Sequence, residues 1–104
     1  MYRPLPSCCT IKNSDIEGLG LFATELIPKG TDLGMTHIFD NRVADGVIRL
    51  PLGGFFNHSE TPNCKIEEKF YERKIHIHHL RLVTIEDIQE GQEITAYYTL
   101  YQPK

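Results

Sequence analysis

Apolar and polar residues alternate along this chain in short bursts and nowhere recur at a sustained helical period. Cys9 to Lys12 alternates weakly and predicts a first short strand, ended by the turn-forming run Asn13-Ser14-Asp15. Gly18 to Ala23 is the next apolar stretch, and Thr24 to Gly30 follows it, closed by Pro28 and Gly30. Thr31 to Phe39 predicts another strand, Asp40 to Gly46 a polar loop, and Val47 to Leu50 a brief apolar segment. Lys65 to Tyr71 and Lys74 to Ile85 are rich in Ile, Phe, Tyr, Val and His, which predicts two strands reversing at Glu72-Arg73. In the second of these, Ile75 and Ile77 share one parity while Leu80 and Leu82 share the other. A bulge or strand break near His78-His79 would reconcile the two sets. Glu93 to Tyr98 is the last predicted element. The pattern is that of a mainly β protein made of short strands with long connections.

Two stretches echo each other. Glu25, Ile27, Gly30, Asp32 and Leu33 return in type and spacing as Glu86, Ile88, Gly91, Glu93 and Ile94. Each copy sets an aliphatic residue three positions before a glycine turn and then starts a strand. This predicts two equivalent corners of a folded-over sheet, although a single pair is not a repeat array, which needs about three units.

The central run Gly53-Gly54-Phe55-Phe56-Asn57-His58-Ser59-Glu60-Thr61-Pro62-Asn63-Cys64 fits neither a regular helix nor a regular strand. Pro62 removes a ladder donor, and Asn57, Ser59, Thr61 and Asn63 bond their own backbone in turns. Phe55 and Phe56 nevertheless ask for burial. A polar, irregular loop anchored by aromatics is a common form of binding site on a rigid scaffold.

Composition narrows the classes. At 104 residues the chain reads as one domain, 1–104, able to bury roughly two thirds of its unfolded surface. A net charge of -3 argues against general electrostatic binding of nucleic acid and leaves room for an acidic face that attracts a basic peptide. No apolar run approaches the ~20 residues of a membrane span, and no signal-peptide pattern opens the chain. Three cysteines, Cys8 and Cys9 adjacent, do not form an even disulfide framework, so a reducing, cytoplasmic compartment is expected.

Several motifs have bland readings. Gly18 to Ala23 fits the dinucleotide pattern G-x-G-x-x-A, but Pro28 and Gly30 cut short the long helix that pattern requires. What remains is a Gly-x-Gly hairpin whose backbone a ligand can approach closely. His76 and His78 lie on one face of a predicted strand with ligand-like spacing, yet no carboxylate or cysteine joins them locally, and no metal is expected. Tyr97, Tyr98 and Tyr101 read, by themselves, as a half-buried strand edge.

Taken together, Gly18-Leu19-Gly20-Leu21-Phe22-Ala23, Phe56-Asn57-His58-Ser59-x-x-Pro62-Asn63-Cys64 and Gly91-Gln92-Glu93-Ile94-Thr95-Ala96-Tyr97-Tyr98 resemble the SET domain, a family of S-adenosylmethionine-dependent protein lysine methyltransferases. The motifs occur in the family's order and span positions 18 to 98. The resemblance implies a β-clip fold of small curved sheets, with the chain's end threaded under the central loop as a C-terminal pseudoknot. It implies that the backbone around Glu17, Gly18, Leu19 and Gly20 holds the methionine end of the cofactor. Asn57 and His58 would hold its amino-acid and adenine parts, and Phe56 would floor the pocket. Tyr98 looks like the catalytic tyrosine, and Tyr97 stands where aspartate is common. The substrate implied is a lysine-containing protein.

The chemistry suits these residues. Methyl transfer from a sulfonium is an in-line displacement, in which alignment and desolvation are the enzyme's main contributions. The target lysine must arrive neutral although its unperturbed pKa is about 10.4, and an aromatic channel beside a sulfonium disfavours the ammonium. Gly54 replaces an arginine frequent in the family, and Glu60 replaces a cysteine. Only Thr99 to Lys104 follows the tyrosine motif, so Tyr101 or the partner subunit of a homodimer would complete the lysine channel. Two other readings fit the same motifs: a SET-like module that binds cofactor or peptide without turnover, and a structural β-clip subunit.

Overall fold

The computed structural model describes residues 4–70 and 77–97. Among these the chain forms eight strands: β1 (Cys9–Asn13), β2 (Leu19–Ala23), β3 (Asp32–Phe39), β4 (Val47–Arg49), β5 (Asn57–His58), β6 (Cys64–Lys69), β7 (His79–Thr84) and β8 (Glu93–Ala96). A single 3-10 turn, Pro51–Gly54, is the helical element of the described residues. The strand order is β1-β2-β8-β6-β7-β3-β4, with β5 paired to β8. The mainly β architecture expected from the alternation is therefore present.

Two small sheets meet at β8. On one side is the β1–β2 hairpin, in register from Cys9↔Ala23 to Asn13↔Leu19. It reaches β8 through Leu21↔Ile94 and Phe22↔Glu93. On the other side are β6, β7, β3 and β4, all antiparallel, joined to β8 by the parallel pair Cys64↔Ala96. The predicted break near His78-His79 is the start of β7: Ile77 lies outside the strand and is exposed, whereas Leu80 and Leu82 are fully buried. The reversal expected at Glu72-Arg73 lies outside the described residues. The register slips fall instead on the partner strand, where Leu33 and Thr36 are each an extra residue against β7. That is why Thr36 and His37, neighbours in sequence, are both buried.

The 3-10 turn packs on β3 at this point. A Cβ on Gly53 would strike the Thr36 carbonyl and come within 3.0 Å of His37 Cε1, so only glycine fits. Thr36 also receives the Leu50 N–H on its carbonyl at 2.9 Å. His37 is buried beneath, 2.9 Å from Thr36 Oγ1. Burial, and then the Arg49 charge, hold its imidazole below the ordinary value of 6.5.

The two echoing stretches are two corners that clasp each other. Ile27 and Ile88 form an antiparallel bridge, each N–H donating to the other's carbonyl at 2.8 Å. Both side chains are buried. Gly30 and Gly91 have φ of 85° and 87°, the left-handed region that each turn requires. Gly30 N–H donates to Thr84 O, and Gly91 N–H to Ala23 O. Ala23 N–H donates to Gln92 O, as Thr84 N–H does to Thr31 O. Each corner thus binds the strand that enters the other, a local two-fold built from the two echoing stretches. Leu21, Leu33, Leu52, Phe56, Leu82 and Ile94 close the core around it, with Cys9 and Cys64.

The central loop leaves β8 and returns to it. Asn57↔Thr95 and His58↔Ala96 pair in parallel, and Ser59 N–H donates to Ala96 O at 3.1 Å. At the far end, Asn63 Nδ2 donates to Glu93 O at 2.8 Å while Asn63 Oδ1 accepts Thr95 N–H at 2.9 Å. One side-chain amide thereby replaces a peptide group of a neighbouring strand, supplying both donor and acceptor. The threading implied by the family depends on residues after Tyr97, which lie outside the described residues.

Three outcomes follow. Ile27→Ala and Ile88→Ala should each lower stability by about 2–5 kcal/mol in urea unfolding, and by similar amounts, because the two corners are equivalent. Asn63→Ala should cost about 1–3 kcal/mol, since it strands the Thr95 N–H and the Glu93 carbonyl together. With His37 depressed in the folded chain, the unfolded chain takes up that proton first. The stability it contributes is full above pH 6.5 and is lost as pH falls through the folded value. Urea unfolding from pH 7.5 to 5 should show this loss, and His37→Gln should flatten the slope.

Candidate functional site

Three elements converge on Asn57: the β1–β2 turn, the start of β5 and the start of β8. The turn is shaped by Ser14, whose N–H donates to Gly18 O at 2.7 Å. Its hydroxyl oxygen accepts the N–H groups of Ile16 at 2.9 Å and Glu17 at 3.4 Å. Gly18, at φ 47°, takes the left-handed conformation that closes the turn. The Ser14 hydroxyl donates in turn to the Glu93 carboxylate, 2.7 Å from Oε1 and 2.8 Å from Oε2.

Asn57 completes the cluster. Its Nδ2 lies 2.8 Å from Glu93 Oε2, 3.0 Å from Ser14 Oγ, 3.2 Å from Glu17 O and 3.4 Å from Leu19 O. Four oxygens thus compete for two N–H bonds. Among the described residues no donor reaches Asn57 Oδ1, which is left as an acceptor. Gly20 lies against the same carboxylate: a Cβ there would overlap Glu93 Oε2 and meet Ser14 Cβ at 3.0 Å. Its glycine is required by close approach and not by φ.

The residues anticipated for cofactor binding are distributed as follows. Glu17 and Leu19 have exposed side chains, and their carbonyls face Asn57. Phe56 is 3% exposed and packs in the core, so it supports the loop from beneath. The His58 backbone is fixed by its pairing with Ala96, and its ring lies 4.8 Å from that of Tyr97, tilted by 54°. Its Nε2 is 3.8 Å from Glu60 Oε1. Tyr97 is 41% exposed beside it. Tyr98 and Tyr101 lie outside the described residues.

Ser14 and Glu93 escaped the sequence reading as site residues. Ser14 appeared only as a turn former, and Glu93 as the counterpart of Asp32 in the echo and as one position of the Gly91–Tyr98 motif, with no role of its own. The echo was nonetheless a signal. Asp32, at the start of β3, accepts hydrogen bonds from Arg81 Nε–H at 2.7 Å and from Gly34 N–H at 2.9 Å. The same place in the other corner holds Glu93, whose longer side chain reaches Ser14 and Asn57.

Other groups lie apart from this chemistry. Cys9 and Cys64 are buried free thiols. Burial, and then the Glu86 charge, push Cys64 up to about 12; burial, and then Cys8, raise Cys9 as well. Neither is poised as a nucleophile. Among the described residues no group of three His, Cys, Asp or Glu is placed to hold a metal, and His76 lies outside them. An open groove lined by Phe39, Asp40, Arg42, Ile48, Ile77 and His78 belongs to the β3–β4 end and contains none of the anticipated residues. Its wall carries His78 stacked between Phe39 and Phe70, with centroids 4.1 and 4.2 Å away.

No curated protein sequence matches the chain. A structure of a Plasmodium falciparum protein assigned as a histone methyltransferase superposes with a TM-score of 0.72 at 21% identity, covering 96% of this chain and 100% of that one. A humanized mutant of the Chaetomium thermophilum Polycomb Repressive Complex 2, bound to an inhibitor, gives 0.72 at 21% identity over 92% of this chain. There the match spans 15% of the larger chain. At such identities the likeness is one of fold. The family model for the SET domain matches residues 35–99, from within β3 to just beyond the two tyrosines. The chain belongs to the SET domain family.

Proposed function

We propose that the protein is an S-adenosylmethionine-dependent protein lysine N-methyltransferase. The observation that carries this reading is the meeting of Asn57 with the carbonyls of Glu17 and Leu19 in the Gly-x-Gly turn, beside β8, the strand that leads in sequence to Tyr98. The donor set suits the cofactor's amino-acid end. Gly18 has nothing within 4 Å of where its Cβ would be, Gly20 tolerates no side chain, and among the described residues no donor takes up Asn57 Oδ1. In this reading the backbone at Glu17, Gly18, Leu19 and Gly20 holds that end, Asn57 and His58 fix the remainder, and Phe56 keeps the loop in place from the core side.

When bound, S-adenosylmethionine supplies an electrophilic methyl group on a sulfonium. The chain's residues then align and desolvate. In this reading Tyr98 would orient the lysine amine through its hydroxyl, and Tyr97 and Tyr101 would line the approach. The amine must shed its proton to solvent before it can attack, and an aromatic, water-poor channel favours the neutral form. The substrate class is a lysine-bearing protein segment, drawn to a chain whose net charge is -3.

The test is transfer of labelled methyl groups to lysine-containing peptides. Wild type should methylate, and Tyr98→Phe should lose about 10²-fold or more in kcat, the effect of misaligned reactants. The wild-type rate should rise with pH to about 9, following the neutral fraction of the amine. Undiminished transfer by Tyr98→Phe, or a flat profile from pH 6 to 9, would contradict the proposal.

A further inference from the structure

We infer that Glu93 is a positioning residue of the cofactor site: its carboxylate, anchored by Ser14, locks the Asn57 amide with its oxygen facing outward. The inference rests on the methyltransferase reading for the ligand it names, and on the hydrogen-bond geometry for the lock itself.

An asparagine amide can present either end to a ligand. Here Nδ2 is enclosed by Glu93 Oε2, Ser14 Oγ and the carbonyls of Glu17 and Leu19. Turning the amide over would bring Oδ1 against the Glu93 carboxylate and two carbonyl oxygens, all acceptors. Repulsion among them forbids that state, and a charged acceptor weighs most. Ser14 Oγ also accepts the N–H groups of Ile16 and Glu17, which leaves its own proton to be donated outward. That proton goes to the carboxylate, shared between both oxygens. The direction of every bond is therefore set: hydroxyl to carboxylate, amide to carboxylate.

Position adds to polarity. Glu93 pairs with Phe22 of the hairpin strand, two residues before Thr95 pairs with Asn57. Its carbonyl is held by Asn63 Nδ2 at 2.8 Å. Backbone on both sides is thus tied before the side chain reaches Asn57. Gly20 leaves the space that the carboxylate fills. A glutamine at this place would be nearly isosteric. It would have to turn an NH2 toward either Asn57 or Ser14, where three N–H donors already converge on one oxygen.

The experiment pairs two readouts in Glu93→Gln. In the ligand-free protein, the Asn57 side-chain NH2 signals, assigned by their loss in Asn57→Asp, should move toward those of a free asparagine. By calorimetry, S-adenosylmethionine should bind about tenfold or more weaker than to wild type, the loss of a hydrogen bond to a charged group. Should Glu93→Gln not fold, Ser14→Ala tests the lock from its other end, with both readouts shifting in the same direction. Unchanged Asn57 signals, or an affinity within twofold of wild type, would overturn the inference. If the wild type binds no S-adenosylmethionine, the methyltransferase reading fails, and the amide signals alone decide whether Glu93 holds Asn57.

Discussion

Sharing of the four-residue strand β8 is the constraint on which the rest of the structure depends. Its Ile94 and Glu93 pair with β2, its Thr95 and Ala96 pair in parallel with β5, and Ala96 also meets Cys64 of β6. Asn63 fills the remaining ladder positions with a side-chain amide. No other strand of the described residues joins the hairpin to the larger sheet. Burial makes this sharing obligatory, because Ile94 and Ala96 are fully enclosed and their backbone groups must be satisfied by protein.

The cluster around Asn57 is a by-product of that seam. A strand that touches β2 and β5 together brings the β1–β2 turn against Asn57 with no long side chains needed to bridge the gap. Glycine at position 20 allows the approach, and Glu93 occupies the space. The clasped corners hold the seam from behind, since Gln92, next to Glu93, accepts the Ala23 N–H at the end of β2. Stability and the geometry of the cluster therefore run through the same few residues.

Much of this was legible in the sequence. Alternation located the strands, the parity change at His78-His79 located the start of β7, and the echo located two corners that turn out to face each other. Asn57 and the Gly-x-Gly hairpin stood out as candidate site residues because their residue types are unusual for strands, and the structure brings them together. Glu93 and Ser14 were not, since a glutamate at a strand start and a serine in a turn are ordinary, and their meeting spans 79 positions in sequence. Asn63 was read as a turn former; its service to β8 requires knowing which strand lies alongside. The bulges at Leu33 and Thr36 were equally hidden, because they arise from the pairing with β7 and not from the local pattern.

The most direct test of the account is a calorimetric titration of the folded wild-type protein with S-adenosylmethionine and S-adenosylhomocysteine, repeated on Asn57→Ala. The account predicts one site of micromolar affinity, of the order usual for enzyme ligands, abolished by the substitution. Absence of binding to the folded protein, or wild-type affinity in Asn57→Ala, would contradict the claim that the cluster around Asn57 is the cofactor site.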